Sequence, residues 1–172
     1  GKFCETICSY ILQSGRKLFS SDDHKPYATD KDESPSTVLK LARMVAACYL
    51  MNPQTSNLSP PRVVALINYA EEAAEDSAAG KIWLAYDKAK IFLQAGETGR
   101  AREAFLAVLQ RKRSEPWAWF GLASTYAEEP HIAIKLLASG LTFAHDPKFS
   151  VSGLVEISVR FSEIGTYQNA SK

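Results

Sequence analysis

The fold is decided by WLAYDKAKIFLQAGETGRAREAFLAVL, residues 83–109, whose pattern recurs in WAWFGLASTY, residues 117–126. A fixed offset that preserves rings and small side chains indicates a repeat array. The matched pairs are Trp83 with Trp117, Tyr86 with Phe120, Ala89 with Ala123, and Phe92 with Tyr126. A second offset, of 69 residues or about two such repeats, matches Ala89 with Ser158, Phe92 with Phe161, Gly96 with Gly165, and Ala101 with Ala170. A third unit therefore begins and is cut off at Lys172.

Each unit is predicted to form two helices. The first carries a small residue followed three positions later by an aromatic ring, so that helix backbones approach closely and the ring fills the space beside them. Gly96 marks the turn, and the second helix carries Ala101, Phe105 and Val108. The helical period and the lack of alternating β-branched runs predict an all-α fold.

The two stretches resemble the tetratricopeptide repeat, with its Trp, Leu-Gly/Ala, Tyr, Gly, Ala, Phe, Ala pattern, over about residues 81–172. Trp119, Leu122, Ala123 and Tyr126 fall on the signature positions of the family's first helix. The resemblance implies antiparallel helical hairpins stacked as a right-handed solenoid, in units 81–115, 116–149 and a truncated 150–172. The stretch WAWFGLASTYAEEPHIAIKLL is also similar to modules of this family in bacterial conflict and mobile-element systems. One departure is the shortened second turn, AEEPHIA, where Pro130 replaces the usual glycine.

Residues 1–80 are predicted to be degenerate N-terminal helices that pack on the array and cap it. Apolar spacing predicts helices over about residues 2–19, 36–52 and 60–76, with Gly15 tolerated inside the first. Either Ser34-Pro35 or Ser36 is a candidate cap for the second helix, and Ser59-Pro60-Pro61 is a cap signal for the third. The polar segment Ser20–Ser36 is predicted to be a loop or linker.

A partner-binding groove is the functional expectation that the resemblance adds, because the first helices of this fold line its concave face. The residues expected to face it are Trp83, Tyr86, Lys90, Trp117, Phe120 and Ser124. Exposed aromatic rings anchor partners, and Lys90 offers a charge to an acidic group. The alternative is that these rings pack within the protein, because large rings are mostly buried. The family's clamp for a C-terminal carboxylate is not expected, since its positions hold Tyr86, Phe120 and Gly121.

A basic set on the second helix of the first unit offers another candidate surface for an anionic partner: Arg100, Arg102, Arg111, Lys112 and Arg113. These side chains could contact phosphates, which leaves a nucleic-acid-associated module open as an alternative function. Basic residues at a helix C-terminus also complement the helix dipole and stay solvated. Both interpretations remain open from the sequence.

Other chemistry is not indicated. Cys4, Cys8, Asp22, Asp23 and His24 lack the ligand spacing of a metal site, and His131 and His145 have no nucleophile beside them. No phosphate loop or catalytic elbow is present. We therefore predict no cofactor, no metal and no enzymatic activity.

Composition is that of an ordinary globular chain, with 46% hydrophobic and 23% charged residues and a formal net charge of +1. Apolar runs are too short and too often interrupted by charge to span a membrane, so we expect a cytoplasmic protein. The expected function is a non-catalytic scaffold, a piece of a larger protein that binds a peptide or partner domain through its concave face. A structural or dimerisation domain is a further alternative, so oligomerisation stays open.

Overall fold

The computed structural model describes residues 2–28, 33–53, 57–78 and 80–170 of the 172-residue chain. Its fold-forming elements are helical, as predicted. The helices are α1 Lys2–Ser14, α2 Thr37–Met51, α3 Pro60–Ala73, α4 Ile82–Gln94, α5 Thr98–Arg111, α6 Pro116–Ala123, α7 Pro130–Leu141 and α8 Pro147–Ala170. Two short strands, β1 Tyr27–Ala28 and β2 Glu33–Ser34, pair antiparallel between α1 and α2. The chain divides into two compact units, Gly1–Ala101 and Arg102–Lys172.

Helix α1 ends earlier than its apolar pattern predicts. Gly15 has a φ of +53°, a conformation that ends an α-helix and that residues with a side chain rarely adopt. A single 3₁₀ turn, Gly15–Lys17, follows instead of a further α-helical turn. The expectation that the helix tolerates Gly15 was therefore wrong.

The start of α2 is fixed by two residues that are distant from each other in the sequence. Ser36 is the N-cap, and its hydroxyl oxygen accepts a hydrogen bond from the Leu39 amide at 3.3 Å, which confirms one of the two predicted caps. The Ser36 amide in turn donates to Oδ1 of Asp76 at 3.0 Å. Both Ser36 and Asp76 are buried, so the connection after α3 is tied to the first turn of α2.

The core of the first unit lies among α1, α2, α3 and α4, which contact one another in pairs. Apolar side chains at helical spacing fill it: Cys8, Ile11, Leu39, Val45, Val63, Leu66, Ile67, Leu84 and Ile91. Two polar contacts also join the helices, from Lys88 to Glu71 at 3.0 Å and from the Gln94 amide to the Leu50 carbonyl at 3.2 Å. Helix α4 therefore has a fixed orientation on α2 and α3.

The turn after α4 has the geometry that the repeat pattern predicts. Gly96 has a φ of +77°, its amide donates to the Leu93 carbonyl at 3.1 Å, and the Glu97 amide donates to the Phe92 carbonyl at 2.9 Å. These two bonds form a Schellman motif, in which glycine at the left-handed position closes the helix. The sequence therefore located this turn correctly.

The second unit is built from α6, α7 and α8, with α7 in contact with both of its neighbours. The last turn of α6 tightens into a 3₁₀ turn at Ser124–Tyr126, and α7 begins at Pro130, which needs no amide donor at that position. A proline start thus replaces the glycine turn. Helix α8 runs unbroken past Gly165, so the sequence equivalence of Gly165 with Gly96 does not extend to the backbone. The predicted division of the sequence into repeats, with boundaries at 80/81, 115/116 and 149/150, stays a prediction.

Candidate functional site

One face of α4 carries a set of rings and charges beside the core. Residues three and four positions apart share a helix face, which brings Trp83, Tyr86, Asp87 and Lys90 together on the side of α4 next to α2. The buried positions of the same helix include Ile82, Leu84, Ala89, Ile91 and Phe92. All four residues of this face belong to the stretch 83–109 that decides the fold. Three of them, Trp83, Tyr86 and Lys90, were predicted to bind a partner.

The two rings of this face form an edge-to-face pair. The centroids of Trp83 and Tyr86 lie 6.1 Å apart with an interplanar angle of 89°. The Lys90 ammonium lies 5.7 Å from the Tyr86 centroid, and the Arg43 guanidinium lies 5.6 Å from the Trp83 centroid. Trp83 keeps 38% of its surface exposed. The pair is thus a positioned aromatic surface with a cation at each ring.

Arg43 is the functional candidate that the sequence reasoning missed. It extends from α2 to α4, where its Nε lies 3.6 Å from Oδ2 of Asp87. The sequence contained a signal for Arg43. When Ala46 and Tyr49 are aligned with Ala89 and Phe92, Arg43 takes the position equivalent to Tyr86. The degenerate N-terminal helix therefore places a charge where the later first helices place a ring.

The Asp87 carboxyl has an unusual environment for a surface acid. Its side chain is only 14% exposed. Burial raises its pKa above the usual 3.8, and the positive charges of Arg43 and Lys90 offset only part of that increase. Burial, and then the charge of Asp87, also raise the pKa of the Tyr86 hydroxyl. The face therefore holds an acid whose charge is costly without its basic neighbours.

We expect Asp87→Asn to become more stable relative to wild type as pH rises from 3.8. A raised native pKa means that the folded state binds the Asp87 proton more tightly than the unfolded state does. Wild type therefore loses stability as pH rises from 3.8, the unfolded pKa, through the higher pKa of the folded state. The variant has no such proton. Urea unfolding of both proteins over a pH series measures the difference.

The matched variant for this test is Arg43→Gln, which removes a charge that lowers the Asp87 pKa. It should extend the pH-dependent loss of stability to higher pH. A difference between Asp87→Asn and wild type that does not change with pH would contradict the prediction.

In the second unit, the two tryptophans of α6 use their indole nitrogens within the protein. Trp117 donates to a carboxylate oxygen of Glu115 at 3.1 Å. Trp119 donates to the Arg113 carbonyl at 2.7 Å and stacks on Phe143, with centroids 6.3 Å apart and an interplanar angle of 15°. Both rings are half-buried. Trp119 thus packs against Phe143 within the second unit.

Phe120 lies against two glycines on neighbouring helices. A Cβ placed on Gly140 of α7 would lie 2.8 Å from Phe120 Cε1, and one on Gly153 of α8 would lie 2.8 Å from Phe120 Cζ. Real side chains do not approach so closely, so only glycine leaves room for the ring at both positions. Phe120 therefore serves the packing of the second unit, and its expected contact with a partner stays a prediction.

A pocket of about 200 Å³ opens beside this ring, within the second unit. It is lined by Phe120, Ala123, Ser124, Leu137, Ser152 and Glu156. The Ser124 hydroxyl donates to the Gly121 carbonyl at 2.6 Å, and Glu156 pairs with Arg160 at 2.7 Å. The pocket thus has an apolar floor, and two of its polar side chains already have partners.

The basic set predicted as a surface for anionic partners is not uniformly exposed to solvent. Arg100 pairs with Glu97 and lies 4.1 Å from the centroid of Phe92. Arg102 donates to the Thr125 carbonyl at 3.2 Å, pairs with Glu129 at 3.3 Å, and lies 3.8 Å from the centroid of Tyr126. The other three follow at the end of α5 and beyond it, with Arg111 and Arg113 exposed and Lys112 half-buried.

Among the described residues, no three His, Cys, Asp or Glu side chains converge as a metal site would require. Within those same ranges, no helix combines the length and apolarity needed to cross a bilayer. Cys4, Cys8 and Cys48 are free thiols, and the first two are buried.

Fold and site together describe an all-helical protein with an aromatic and charged face on α4. The chain belongs to the family described as a domain of unknown function, DUF7017, whose model matches residues 82–172. The match begins at the first residue of α4 and includes every later helix. No curated protein and no solved structure matches the chain.

Proposed function

We propose that the chain is a non-catalytic interaction module that binds a peptide segment or partner domain through the α4 face. In this proposal, α4 to α8 are tetratricopeptide-like hairpins stacked as a right-handed solenoid, and the protein works in the cytoplasm. The Schellman turn at Gly96 and the short α6–α7 connection support the hairpins. No cofactor is required for this role.

The observation that carries the proposal is the half-covered ring pair Trp83–Tyr86 with its fixed charges. Aromatic side chains that are held in place lose little entropy on binding, which is why they dominate binding energies at interfaces. Arg43 and Lys90 provide positive charge beside the rings, and Asp87 partly neutralises Arg43. The face therefore favours a segment with an apolar side chain next to an acidic group.

The second unit contributes its own pocket to the proposal. Its apolar floor at Phe120, Ala123 and Leu137 suits an apolar side chain, and the rim carries Ser124 and Ser152. The pocket does not depend on α4, so it can be tested separately from the ring pair.

The nucleic-acid alternative rests on fewer side chains than the sequence offered. Arg100 and Arg102 are held by Glu97 and Glu129, which leaves the exposed Arg111 and Arg113 with Lys112 as its basis. Phosphate contacts weaken steeply with salt, so filter binding at two salt concentrations distinguishes this function from peptide binding.

The proposal is tested by selecting binders from a random-peptide display library on the immobilised protein. We expect enriched peptides to carry an apolar residue near an acidic one. Fluorescence anisotropy of the enriched peptides should then show binding weakened by about tenfold or more in Trp83→Ala, as for a central interface ring. Circular dichroism and urea unfolding check that the variant is folded.

The matched control is Phe3→Ala, which removes a ring that is 70% exposed on a different helix. This variant should bind the enriched peptides as wild type does. Failure to enrich any peptide, or equal binding by Trp83→Ala and wild type, would make the proposal wrong.

A further inference from the structure

Two thiols meet in the first unit, where α1 packs against α2. Cys4 lies in the first turn of α1 and is buried, and Cys48 lies in the last turn of α2 and is half-buried. Their side chains form a thiol–thiol hydrogen bond. The two sulfur atoms are therefore neighbours, although the residues are 44 positions apart in the sequence. Side chains that already meet across a helix interface need little movement to bond covalently.

Cysteine is also a large part of what α1 buries. The buried residues of this helix are Cys4, Cys8 and Ile11, whereas its rings Phe3 and Tyr10 are 70% and 57% exposed. A free cysteine packs as a small apolar side chain, so it contributes less buried area than a leucine or a phenylalanine. Few apolar atoms thus hold α1 to the unit, and a covalent bond at Cys4 would strengthen its attachment.

The three thiols differ in what can reach them. Cys8 is fully buried, and its thiol donates to the Arg62 carbonyl of α3 at 3.9 Å, away from the pair. Cys48 lies at the edge of the buried face of α2, three residues before Met51, which is 74% exposed. Since thiol exchange requires access to the sulfur, a reagent in solution meets Cys48 first. Cys4 is then the thiol that lies next to the reacted sulfur.

We propose that Cys4 and Cys48 form a reversible disulfide that ties α1 to α2, with a low-molecular-weight disulfide such as oxidised glutathione as the oxidant. The Cys48 sulfur attacks the glutathione disulfide, forms a mixed disulfide and releases one glutathione thiol. The Cys4 sulfur then attacks Cys48 of the mixed disulfide, and the second glutathione leaves as a thiol. Two protein thiols lose two electrons and two protons, and the glutathione disulfide takes up both.

The environment of Cys4 makes the second step slow. Burial, and then the hydrogen bond and charge of Cys48, raise the pKa of the Cys4 thiol above its usual 9.0. The contribution of burial remains after Cys48 has reacted. Because the thiolate is the attacking form, few Cys4 side chains are ready to react at neutral pH. The bond therefore responds to sustained oxidising conditions, and a reducing compartment keeps both thiols free.

Mass spectrometry of the folded protein after incubation with oxidised glutathione tests the proposal. Wild type should lose two hydrogens, carry no glutathione and yield a linked peptide pair that joins Cys4 to Cys48. Cys8→Ala is the matched control, and it should form the same bond. This variant also makes the assignment unambiguous, because the tryptic peptide that contains Cys4 contains Cys8 as well. Cys4→Ser should instead retain glutathione on Cys48.

Urea unfolding tests the tie between the helices. The bond restricts the unfolded chain over a long loop, so oxidised wild type should unfold at a urea concentration about 1 M higher than reduced wild type. Cys8→Ala should show the same increase, and dithiothreitol should reverse it. Cys48→Ser treated in the same way should show none. Circular dichroism establishes that each variant is folded before oxidation.

Two results would overturn the proposal. One is wild type that keeps glutathione on Cys48 or stays fully reduced, because Cys4 would then not reach the reacted sulfur. The other is a bond that includes Cys8. The disulfide does not involve the α4 ring pair, so either result leaves the proposed peptide binding untouched.

Discussion

Gly140→Ala is expected to lower the free energy of unfolding by about 1–3 kcal/mol, the usual cost of overpacking a well-filled site. The new Cβ would lie 2.8 Å from Phe120 Cε1 and 2.8 Å from Trp119 Cβ. The second contact is the costly one, because a Cβ atom cannot move without its backbone. Alanine is otherwise the better helix former by roughly 0.5–1 kcal/mol, so a net loss reports the clash. Urea unfolding measures it.

Gly99→Ala is the matched control for this prediction. It also lies in a helix, α5, but a Cβ there meets no atom within 4 Å. We expect its stability to be unchanged or raised by up to about 1 kcal/mol. Gly153→Ala should fall between the two, because the atom nearest its Cβ is a Leu141 methyl group at 2.7 Å, which can rotate away. Equal stability of Gly140→Ala and Gly99→Ala would contradict the close packing of Gly140 against Trp119 and Phe120.

Asp76→Ala is expected to lower the free energy of unfolding by about 2–3 kcal/mol, through two losses that add. The substitution leaves the buried Ser36 amide without its acceptor, which costs about 1–3 kcal/mol, and removes a carboxylate near the start of α2, where the helix dipole favours negative charge. Asp76→Asn keeps an acceptor oxygen and should cost less. Chemical denaturation of both variants separates the hydrogen bond from the charge.

The control for Asp76 is Asp22→Ala, at a carboxylate whose side chain is 88% exposed. Substitutions at such surface positions usually change stability by less than about 0.5 kcal/mol. If Asp76→Ala matched this control, the tie between α2 and the α3–α4 connection would not contribute to stability.

The helices could be predicted from the sequence because the spacing of their apolar residues and the residues that cap or end them are local signals. Gly96 ended α4 as predicted, and Ser36 capped α2 as predicted. The same signal failed at Gly15, where the apolar pattern continued past a glycine that the backbone used as a stop. The helical period of the apolar residues indicates that a helix exists, but the end of the helix depends on the φ angle of one residue.

The roles of the rings could be predicted only in part, because they depend on what the neighbouring helix offers. Tyr86 and Phe120 occupy equivalent positions in successive repeats of the sequence. Tyr86 lies beside Trp83 and Lys90, whereas Phe120 lies over Gly140 and Gly153. No pattern within one helix distinguishes these environments. The contact of Arg43 with Asp87 was not predicted for the same reason, since it joins two helices that are distant in the sequence.

The two glycines beneath Phe120 also restrict how the second unit can assemble. Sliding α7 along α6 by one helical turn would bring Leu136 under the ring in place of Gly140. Sliding α8 by one turn would bring Phe149 or Ile157 there in place of Gly153. Each of these residues has a Cβ where the ring leaves no space. One aromatic side chain thus selects a single register for three helices, which general hydrophobic burial alone would not do.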